Sequence, residues 1–481
     1  MKTIIKYIKR ISLLLLLLTG QVSCEKSFLE VVPKGKLIAQ QTSDYDLLLN
    51  NSLLLTLVTS APMVMGDEVA AIDPYFTSAE LRTQRLFRWD DVIYEADEKA
   101  DEMISNMENI YLFNKIINEV MDSDGGTESQ KKELRAEALA GRAWINFLMI
   151  NYYGKPYNAS TSMNDPGFPI ILESDITGSN YTRATVEEVY NFIIDDLTKA
   201  IPDLSSMKYR SRMSKPTAEA ILGKVYVYMG KFEEALQLFN DAFADLNDAT
   251  EEIGLYDYNV AFSPGGAFFP VNPAFGPTFP VGPYNKESMY AKESINPWAF
   301  VQNEILLTPQ TMGLFGSTDQ RLKLYSSTYF PFGFVPPGFK KKKGPITPQI
   351  GFALPELYLL RAECKARLND LTGAVDDLET LRKNRMPAED AVVPAEIAGQ
   401  KMDLLQFIMD ERIREFALEG YRWFDMRRLS VDPLFANATY THVLYSSTGE
   451  PEETYTLRPE RFVLRFPQSV IDQNPGMENN P

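Results

Sequence analysis

This 481-residue chain contains one histidine, His442, and two cysteines, Cys24 and Cys364. A histidine-dependent catalytic triad would have to use His442, and a metal site with several histidine ligands cannot form. We expect the lone His442 to be exposed. No Gly-x-Gly-x-x-Gly or Walker-type loop occurs, and the pair Gly265-Gly266 lies among prolines rather than between a strand and a helix. The sequence therefore predicts no catalytic residues, no cofactor and no metal, and it argues against an enzyme.

Basic side chains are also fewer than acidic ones. The chain has 48 lysines and arginines and 65 acidic residues, which gives a formal net charge of −17. Nucleic-acid binding requires a basic footprint, so the charge disfavours it and favours neutral or cationic ligands. Surface acidity that only aids solubility is the simpler alternative. The run Lys340 to Lys343 is the local exception, and we expect it to be a solvated loop face.

The apolar run from Ile11 to Leu18 is too short to span a bilayer. It follows four basic residues and precedes a stretch that ends at Cys24, which is typical of an export signal. A cysteine directly after Ser23 resembles a bacterial lipobox, although Gln21 stands where leucine is usual. We expect residues 1–23 to be a lipoprotein signal peptide and Cys24 to carry the lipid. Ordinary cleavage that leaves Cys24 unmodified is the alternative. Only Cys364 then remains, so no intrachain disulfide is available.

The body of the chain carries helical repeats. Between Pro216 and Ala249, small and large apolar residues have the spacing of a tetratricopeptide helix pair. They are Leu222, Gly223, Tyr226, Gly230, Phe232, Ala235, Phe239 and Ala242. The pattern recurs weakly over helices at 354–368 and 372–383, where Asn369 replaces the glycine between helices and tolerates the same left-handed turn.

Further helices are expected at 96–120, 130–153 and 403–429, and the run Thr185 to Glu188 has the pattern of a capping box. The fold class is therefore mainly α, with about four tetratricopeptide-like helix pairs. Between the pairs, 11 of the chain's 30 prolines lie from Pro264 to Pro337, which excludes long helices there. The predicted organisation after the leader is an N-terminal segment (24–95), first helices (96–250), a proline- and aromatic-rich insertion (251–350), second helices (351–430) and a C-terminal loop segment (431–481).

Several segments resemble the SusD/RagB family. They are Cys24 to Glu30 with Pro33, Arg135 to Ala138, Arg142-Ala143, Tyr153 to Pro156, Glu356 to Tyr358, Arg361 to Glu363, Glu411-Arg412 with Glu415, Glu419 to Arg428, Phe466-Pro467, Asn474 to Gly476 and Asn479 to Pro481. The resemblance covers nearly the whole chain after the leader. It implies a helical lipoprotein on the cell surface, anchored in the outer membrane, that covers a SusC-like TonB-dependent barrel. Such a protein captures an oligosaccharide, or in some members a peptide, before import.

The run Glu411 to Arg428 allows a catalytic interpretation, because paired carboxylates can act as acid and base on a glycosidic bond. The structural interpretation is that Glu411, Glu415 and Glu419 recur every four residues on one helical face. Arg412, Arg422 and Arg428 are then close enough to pair with carboxylates or to cap carbonyls. Since ion networks in helical proteins are common without chemistry, we adopt the structural interpretation.

A sugar site needs exposed aromatic rings beside hydrogen-bonding side chains. Two regions offer both, and the resemblance places ligand-binding loops in the same two parts of the chain. The candidates are Asp67, Tyr75 and Trp89 in the first region and Tyr284, Tyr290, Asn296 and Trp298 in the second. Trp298 with Tyr290 is the leading hypothesis for an aromatic platform. For each aromatic residue, core packing is the expected role ahead of the platform, since large aromatics more often fill cores than form platforms.

The sequence leaves the ligand open. The leading function is glycan capture, the alternative is capture of an oligopeptide by the same fold, and a purely structural repeat scaffold is the third possibility. A peptide site would expose backbone-pairing edges or apolar pockets, whereas a glycan site would show coplanar exposed aromatics.

Overall fold

The computed structural model describes residues 39–57, 60–96, 98–175, 178–273 and 275–481. Cys24, the leader and the motif around Pro33 lie outside these residues. The described chain is mainly helical, as expected. Its helices are α1 Thr42–Leu49, α2 Ala61–Met65, α3 Leu81–Arg88, α4 Asp101–Glu119, α5 Glu128–Tyr153, α6 Val186–Ala200, α7 Lys215–Tyr228, α8 Phe232–Asp245, α9 Tyr258–Ala261, α10 Pro309–Gly313, α11 Leu354–Arg367, α12 Leu371–Lys383, α13 Ala395–Ala398, α14 Lys401–Phe416, α15 Tyr421–Leu429 and α16 Gln468–Gln473.

Two long helices begin with reciprocal capping. Thr185 Oγ1 accepts the Glu188 backbone N–H at 3.2 Å, and the Glu188 carboxylate accepts the Thr185 backbone N–H at 2.7 Å. Thr127 and Gln130 form the same pair of bonds at 3.2 and 2.8 Å. The capping box expected from Thr185 is therefore confirmed, and it satisfies N–H groups that have no partner within the helix.

The repeat pattern corresponds to helices that pack in consecutive pairs, α4 with α5, α7 with α8 and α11 with α12. Gly223 of α7 allows the close approach of α8, because a Cβ atom there would lie 2.6 Å from the Phe239 ring. The turns between paired helices need left-handed residues, supplied by Gly230 (φ +74°) and Asn369 (φ +68°). The role expected for Asn369 is confirmed.

The helix expected over 403–429 is instead two helices, α14 and α15. Leu418 (φ +57°) and Gly420 (φ +92°) both adopt left-handed backbone conformations and break the helix after Phe416. The apolar spacing continues through the break, which is why the sequence pattern alone predicts one helix.

The described part of the proline-rich insertion contains only short helices, short strands and 3-10 turns, in agreement with its proline content. The strands of the molecule are β1 Val69–Ile72, β2 Ser288–Tyr290, β3 Ile305–Leu307, β4 Tyr325–Ser326, β5 Lys341–Lys342, β6 Phe352–Ala353, β7 Thr441–Tyr445 and β8 Pro451–Thr456. The C-terminal segment, expected to be loop, thus contains two strands.

One four-stranded sheet joins distant parts of the chain in the order β3-β1-β7-β8. Strand β1 pairs antiparallel with β3 and parallel with β7, and β7 pairs antiparallel with β8. The N-terminal segment, the insertion and the C-terminal segment therefore meet in this sheet. Its apolar residues pack against Tyr329, Val335 and Phe339 of the insertion, which fixes the insertion next to residues 69–76.

Candidate ligand-binding site

The structure places Trp298, Tyr290 and Asn296 in the interior. Trp298 is only 2% exposed and its Nε1 donates to Glu304 Oε1 at 2.9 Å. The Tyr290 ring meets the Trp144 ring edge-on at 5.5 Å. Asn296 Nδ2 donates to the Leu418 carbonyl at 2.6 Å. These side chains pack and form hydrogen bonds in the core. The hypothesis that Trp298 and Tyr290 form an exposed platform is therefore wrong, and both are core residues.

Trp89 and His442 are also buried. The Trp89 ring stacks on the His442 imidazole at 3.9 Å, and Phe87 stacks on the imidazole at 4.3 Å. The two imidazole nitrogens lie 2.6 and 2.7 Å from the carbonyl oxygens of Phe87 and Gly66. The expectation that His442 is exposed is therefore wrong, because the stacked rings exclude it from solvent.

Asp67 is held in an ion pair rather than presented to a ligand. Its carboxylate accepts bonds from Arg422 at 2.5 and 3.0 Å. Burial alone would raise the pKa of Asp67, but the Arg422 guanidinium outweighs it and holds the pKa below its ordinary value. Asp67 thus fixes helix α15 against the start of β1.

Two candidates are exposed. Tyr75 is 38% exposed and its ring lies 4.7 Å from the Tyr329 ring at an angle of 50°. Tyr284 is 78% exposed at the end of the 3-10 turn Gly282–Tyr284. The Tyr75–Tyr329 contact brings together the N-terminal region and the insertion, the two regions from which the sequence predicts ligand contacts.

The insertion exposes aromatic rings that the sequence analysis did not nominate. Phe275, Phe300 and Phe330 form a triad with ring centroids 5.6 to 5.8 Å apart. Phe332 and Phe334 are 85% and 84% exposed. We define the aromatic surface as Tyr75, Phe275, Phe300, Tyr329, Phe330, Phe332 and Phe334. The run Tyr-Phe-Pro-Phe-Gly-Phe over 329–334 is the sequence pattern that could have indicated these aromatic residues.

A hairpin-like loop positions these rings. Strands β4 and β5 pair at its base, and the Tyr329 N–H donates to the Gly333 carbonyl at 2.9 Å near its tip. Gly333 has φ +104°, a conformation that a side chain would strain. Asn303 clamps Phe330 by accepting its N–H at 3.0 Å and donating to its carbonyl at 2.6 Å. The rings are therefore presented on fixed backbone.

A cavity of about 350 Å³ lies along this loop. It is lined by Pro273, Ala299, Phe300, Thr328, Tyr329, Phe330, Pro331, Phe332, Gly333, Phe334 and Lys341 to Lys343. Tyr329 is only 7% exposed and its hydroxyl has no hydrogen-bond partner in the described protein. Burial raises the pKa of Tyr329 to about 12, so the hydroxyl stays protonated at neutral pH. The hydroxyl oxygen itself is shielded from solvent.

The lysine run 340–343 is not a solvated face. Lys341 is 3% exposed and donates to the Trp298 carbonyl at 3.1 Å, and burial lowers its pKa to about 8. Lys342 is 1% exposed and pairs with Glu419 Oε1 at 2.6 Å. Lys341 thus bonds to the turn at Trp298 within the insertion, and Lys342 bonds to the segment between α14 and α15. The expectation of a solvated loop face is therefore wrong.

The carboxylates of α14 and α15 form a closed ion network. Glu411 is fully buried and contacts Arg321 at 2.7 Å, Arg382 at 2.6 Å and Arg414 at 2.8 Å. Burial would raise the pKa of Glu411, but these guanidinium groups, Arg321 first, hold it far below its ordinary value. The group is an ionised carboxylate without access to substrate, which fits the structural interpretation and not an acid or base.

Among the described residues, no group of three or more His, Cys, Asp or Glu side chains is arranged to hold a metal ion. None of the helices in the described residues has the length and apolar character needed to cross a membrane.

Two family models match this chain. A model described as SusD family matches residues 327–481, and one described as starch-binding associating with outer membrane matches residues 28–227. The SusD-like protein P38 of Formosa agariphila is 21% identical over 310 residues, 54% of this chain. The chain spans 62% of the length of that curated relative.

Solved structures share the fold. A SusD superfamily protein from Bacteroides thetaiotaomicron has a TM-score of 0.71 at 18% identity, with 92% of this chain and 100% of that chain covered. A laminarin-binding SusD-like protein has a TM-score of 0.63 at 15% identity, with 92% and 99% covered. At these identities the likeness establishes the shared architecture and nothing about the ligand.

Proposed function

Because this chain belongs to the SusD family, we propose that it captures a neutral oligosaccharide at the cell surface and delivers it to a SusC-like TonB-dependent transporter in the outer membrane. Support comes from the family description as starch-binding and associated with the outer membrane, and from a laminarin-binding protein of the same fold. The formal net charge of −17 is consistent with a ligand that carries no negative charge. We propose a binding role and no catalysis.

The observation that carries this proposal is the aromatic surface. The surface consists of five phenylalanines and two tyrosines from the insertion and the region after β1. Its two most exposed rings, Phe332 and Phe334, each have more than four-fifths of their area exposed to solvent. Exposed contiguous apolar surface marks a binding region. Sugar rings offer apolar faces for such rings, and a cavity of about 350 Å³ adjoins them. Of the positions nominated from sequence, Tyr75 belongs to this site and Tyr284 remains an exposed aromatic candidate.

Oligopeptide capture is the second candidate, and one observation favours it. The rings of Phe275, Phe300 and Phe330 are tilted by 41° to 47° relative to each other instead of being coplanar. Tilted phenylalanines beside a cavity form an apolar pocket, which suits the side chain of a peptide as well as a sugar.

Titration calorimetry on the full-length protein in detergent separates these candidates. Maltohexaose, laminarihexaose and hexapeptides with apolar side chains are the probes. We expect an oligosaccharide to bind, and we expect the double substitution Phe332→Ala with Phe334→Ala to weaken binding by about 1–3 kcal/mol, or about 5- to 150-fold, by analogy with stacking of bases on aromatic rings.

The matched control is Met163→Ala, because Met163 is 67% exposed and lies outside the aromatic surface. It should leave the affinity unchanged. Peptide binding without oligosaccharide binding would transfer the function to the second candidate, and oligosaccharide binding that the double variant leaves intact would refute the aromatic surface as the site.

We also propose that the protein is held at the outer membrane by lipid on Cys24. The support is the sequence of the leader together with the family description of outer-membrane association. Stable anchoring needs two or more acyl chains, which a lipid-modified N-terminal cysteine supplies.

A further inference from the structure

A second cavity lies away from the aromatic surface. It measures about 810 Å³ and is formed by residues 41–50, 124–137 and 205–214. We call it the polar cleft. Its volume falls within the roughly 300–1,000 Å³ typical of small-molecule sites. It shares no lining residue with the cavity beside Phe332.

The charged side chains of the polar cleft are largely paired with each other. Arg212 donates to Glu137 at 2.6 and 2.8 Å, and it also lies 2.9 Å from Asp46. Lys208 pairs with Glu133 at 3.0 Å. Four carboxylates line the cleft against these two cations. An anionic ligand would therefore find no unpaired cation and an excess of like charge.

The groups of the polar cleft that remain available to a ligand are mainly hydroxyls, which can form hydrogen bonds. Ser43, Ser206 and Ser211 line the cleft, and their side chains are exposed or half-buried. Tyr209 also lines it and is 62% exposed. Only Leu134 and Met213 add aliphatic or thioether side chains to the lining. Hydroxyls beside one exposed ring suit a polyhydroxylated ligand, whereas an apolar peptide side chain would find little surface to contact.

The walls of the cleft are fixed before any ligand arrives. The Thr42 N–H donates to the Asp124 carbonyl at 2.9 Å, and Thr42 Oγ1 donates to the Gly125 carbonyl at 2.9 Å. Across the cleft, the Lys215 N–H donates to the Ser205 carbonyl at 2.9 Å and closes the loop over 205–215. Pre-formed walls reduce the entropy lost when a flexible ligand binds.

A metal ion does not explain the cleft, because no three of its acidic groups come together as a metal site in the residues described. We propose that the polar cleft is a second binding site, separate from the aromatic surface, and that it takes a neutral oligosaccharide through the hydroxyls of Ser43, Ser206 and Ser211 and the ring of Tyr209. This site goes beyond the proposed function, which places capture at the aromatic surface alone.

The test uses the full-length protein in detergent on an array of neutral oligosaccharides that includes α- and β-linked glucans, mannans, galactans and xylans. The background is the variant Phe332→Ala with Phe334→Ala, which removes the two most exposed rings of the aromatic surface. In that background we compare Tyr209→Ala, the cleft-filling Ser43→Trp and the control Met163→Ala. Ser43 is exposed, so a larger side chain there does not enter the core.

We expect the background variant to retain binding to at least one member of the array, and we expect Tyr209→Ala and Ser43→Trp each to reduce that binding at least tenfold while Met163→Ala leaves it unchanged. Loss of all binding in the background variant would overturn the polar cleft and support the aromatic surface. Residual binding that neither cleft variant reduces would also overturn it. Wild-type binding that the background variant leaves at full strength and the cleft variants abolish would support the cleft and refute the proposed capture site.

Discussion

Replacing Glu419 with alanine removes the only carboxylate within ion-pair distance of the Lys342 ammonium among the described residues. Lys342 is 1% exposed and belongs to the insertion, whereas Glu419 lies between α14 and α15. The pair therefore joins the insertion to the helical body. The sequence pattern predicts an arginine as the partner of Glu419, and that prediction is wrong because the partner is Lys342.

The size of the effect follows from burial. Removing one partner of a buried pair costs about 3–5 kcal/mol, because the surviving charge stays in the interior. The Glu419 side chain is 11% exposed, and Lys342 keeps a bond to the Ala417 carbonyl at 2.5 Å, so the lower half of that range applies. The entropy of unfolding is about 2.1 cal/mol/K per residue, or roughly 1.0 kcal/mol/K for this chain, so Tm should fall by about 3–4 °C.

Differential scanning calorimetry at pH 7.5 measures this shift. The matched control is Glu396→Ala, because Glu396 is exposed and forms no ion pair in the described structure, and it should change stability by less than about 0.5 kcal/mol. Adding Lys342→Met to Glu419→Ala removes the unpaired charge and should recover at least half of the loss. A Glu419→Ala variant with Tm within 1 °C of the wild type, or a double variant with no recovery, would refute the buried-pair account.

Three further predictions follow from buried or terminal residues. Trp298→Ala should destabilise the fold by about 3–5 kcal/mol in thermal melts while the folded fraction keeps its ligand affinity, because the ring fills the core; weaker binding without destabilisation would restore the platform hypothesis. Burial, with Asp67 nearby, raises the pKa of Glu68 from its ordinary 4.5 to about 7. Wild-type protein therefore loses free energy of unfolding as pH rises from 4.5 through 7. In denaturant titrations, the free energy of unfolding of Glu68→Gln should rise relative to wild type by about 2–3 kcal/mol between pH 5 and pH 8. A difference between the two proteins that does not change with pH would contradict this. Cys24→Ala should abolish incorporation of a fatty-acid analogue and release the protein from membranes, and unchanged labelling would exclude the anchor.

The repeat helices could be predicted because their signals are local. The spacing around Gly223, the left-handed turn at Asn369 and the capping box at Thr185 each depend on residues within a few turns of one another. The break in the helix at Gly420 could not be predicted from the sequence. The apolar periodicity continues through the break, and a glycine within a helical pattern often leaves the helix intact.

The candidate site was less predictable because exposure depends on long-range pairing. The sheet β3-β1-β7-β8 joins strands from three segments, and it buries Trp89 against His442 and sets Tyr75 against Tyr329. No periodicity in the sequence specifies those contacts. Composition identified the insertion as special, but which of its rings face solvent is decided by partners such as Glu304 for Trp298.

The aromatic surface can be tested with a crystal structure of the protein soaked with the oligosaccharide that binds most tightly in calorimetry. We expect sugar density against the aromatic surface, with sugar ring atoms in van der Waals contact with Phe332 or Tyr75. Sugar bound only elsewhere, with no sugar in contact with these rings at saturating ligand, would contradict the proposed site.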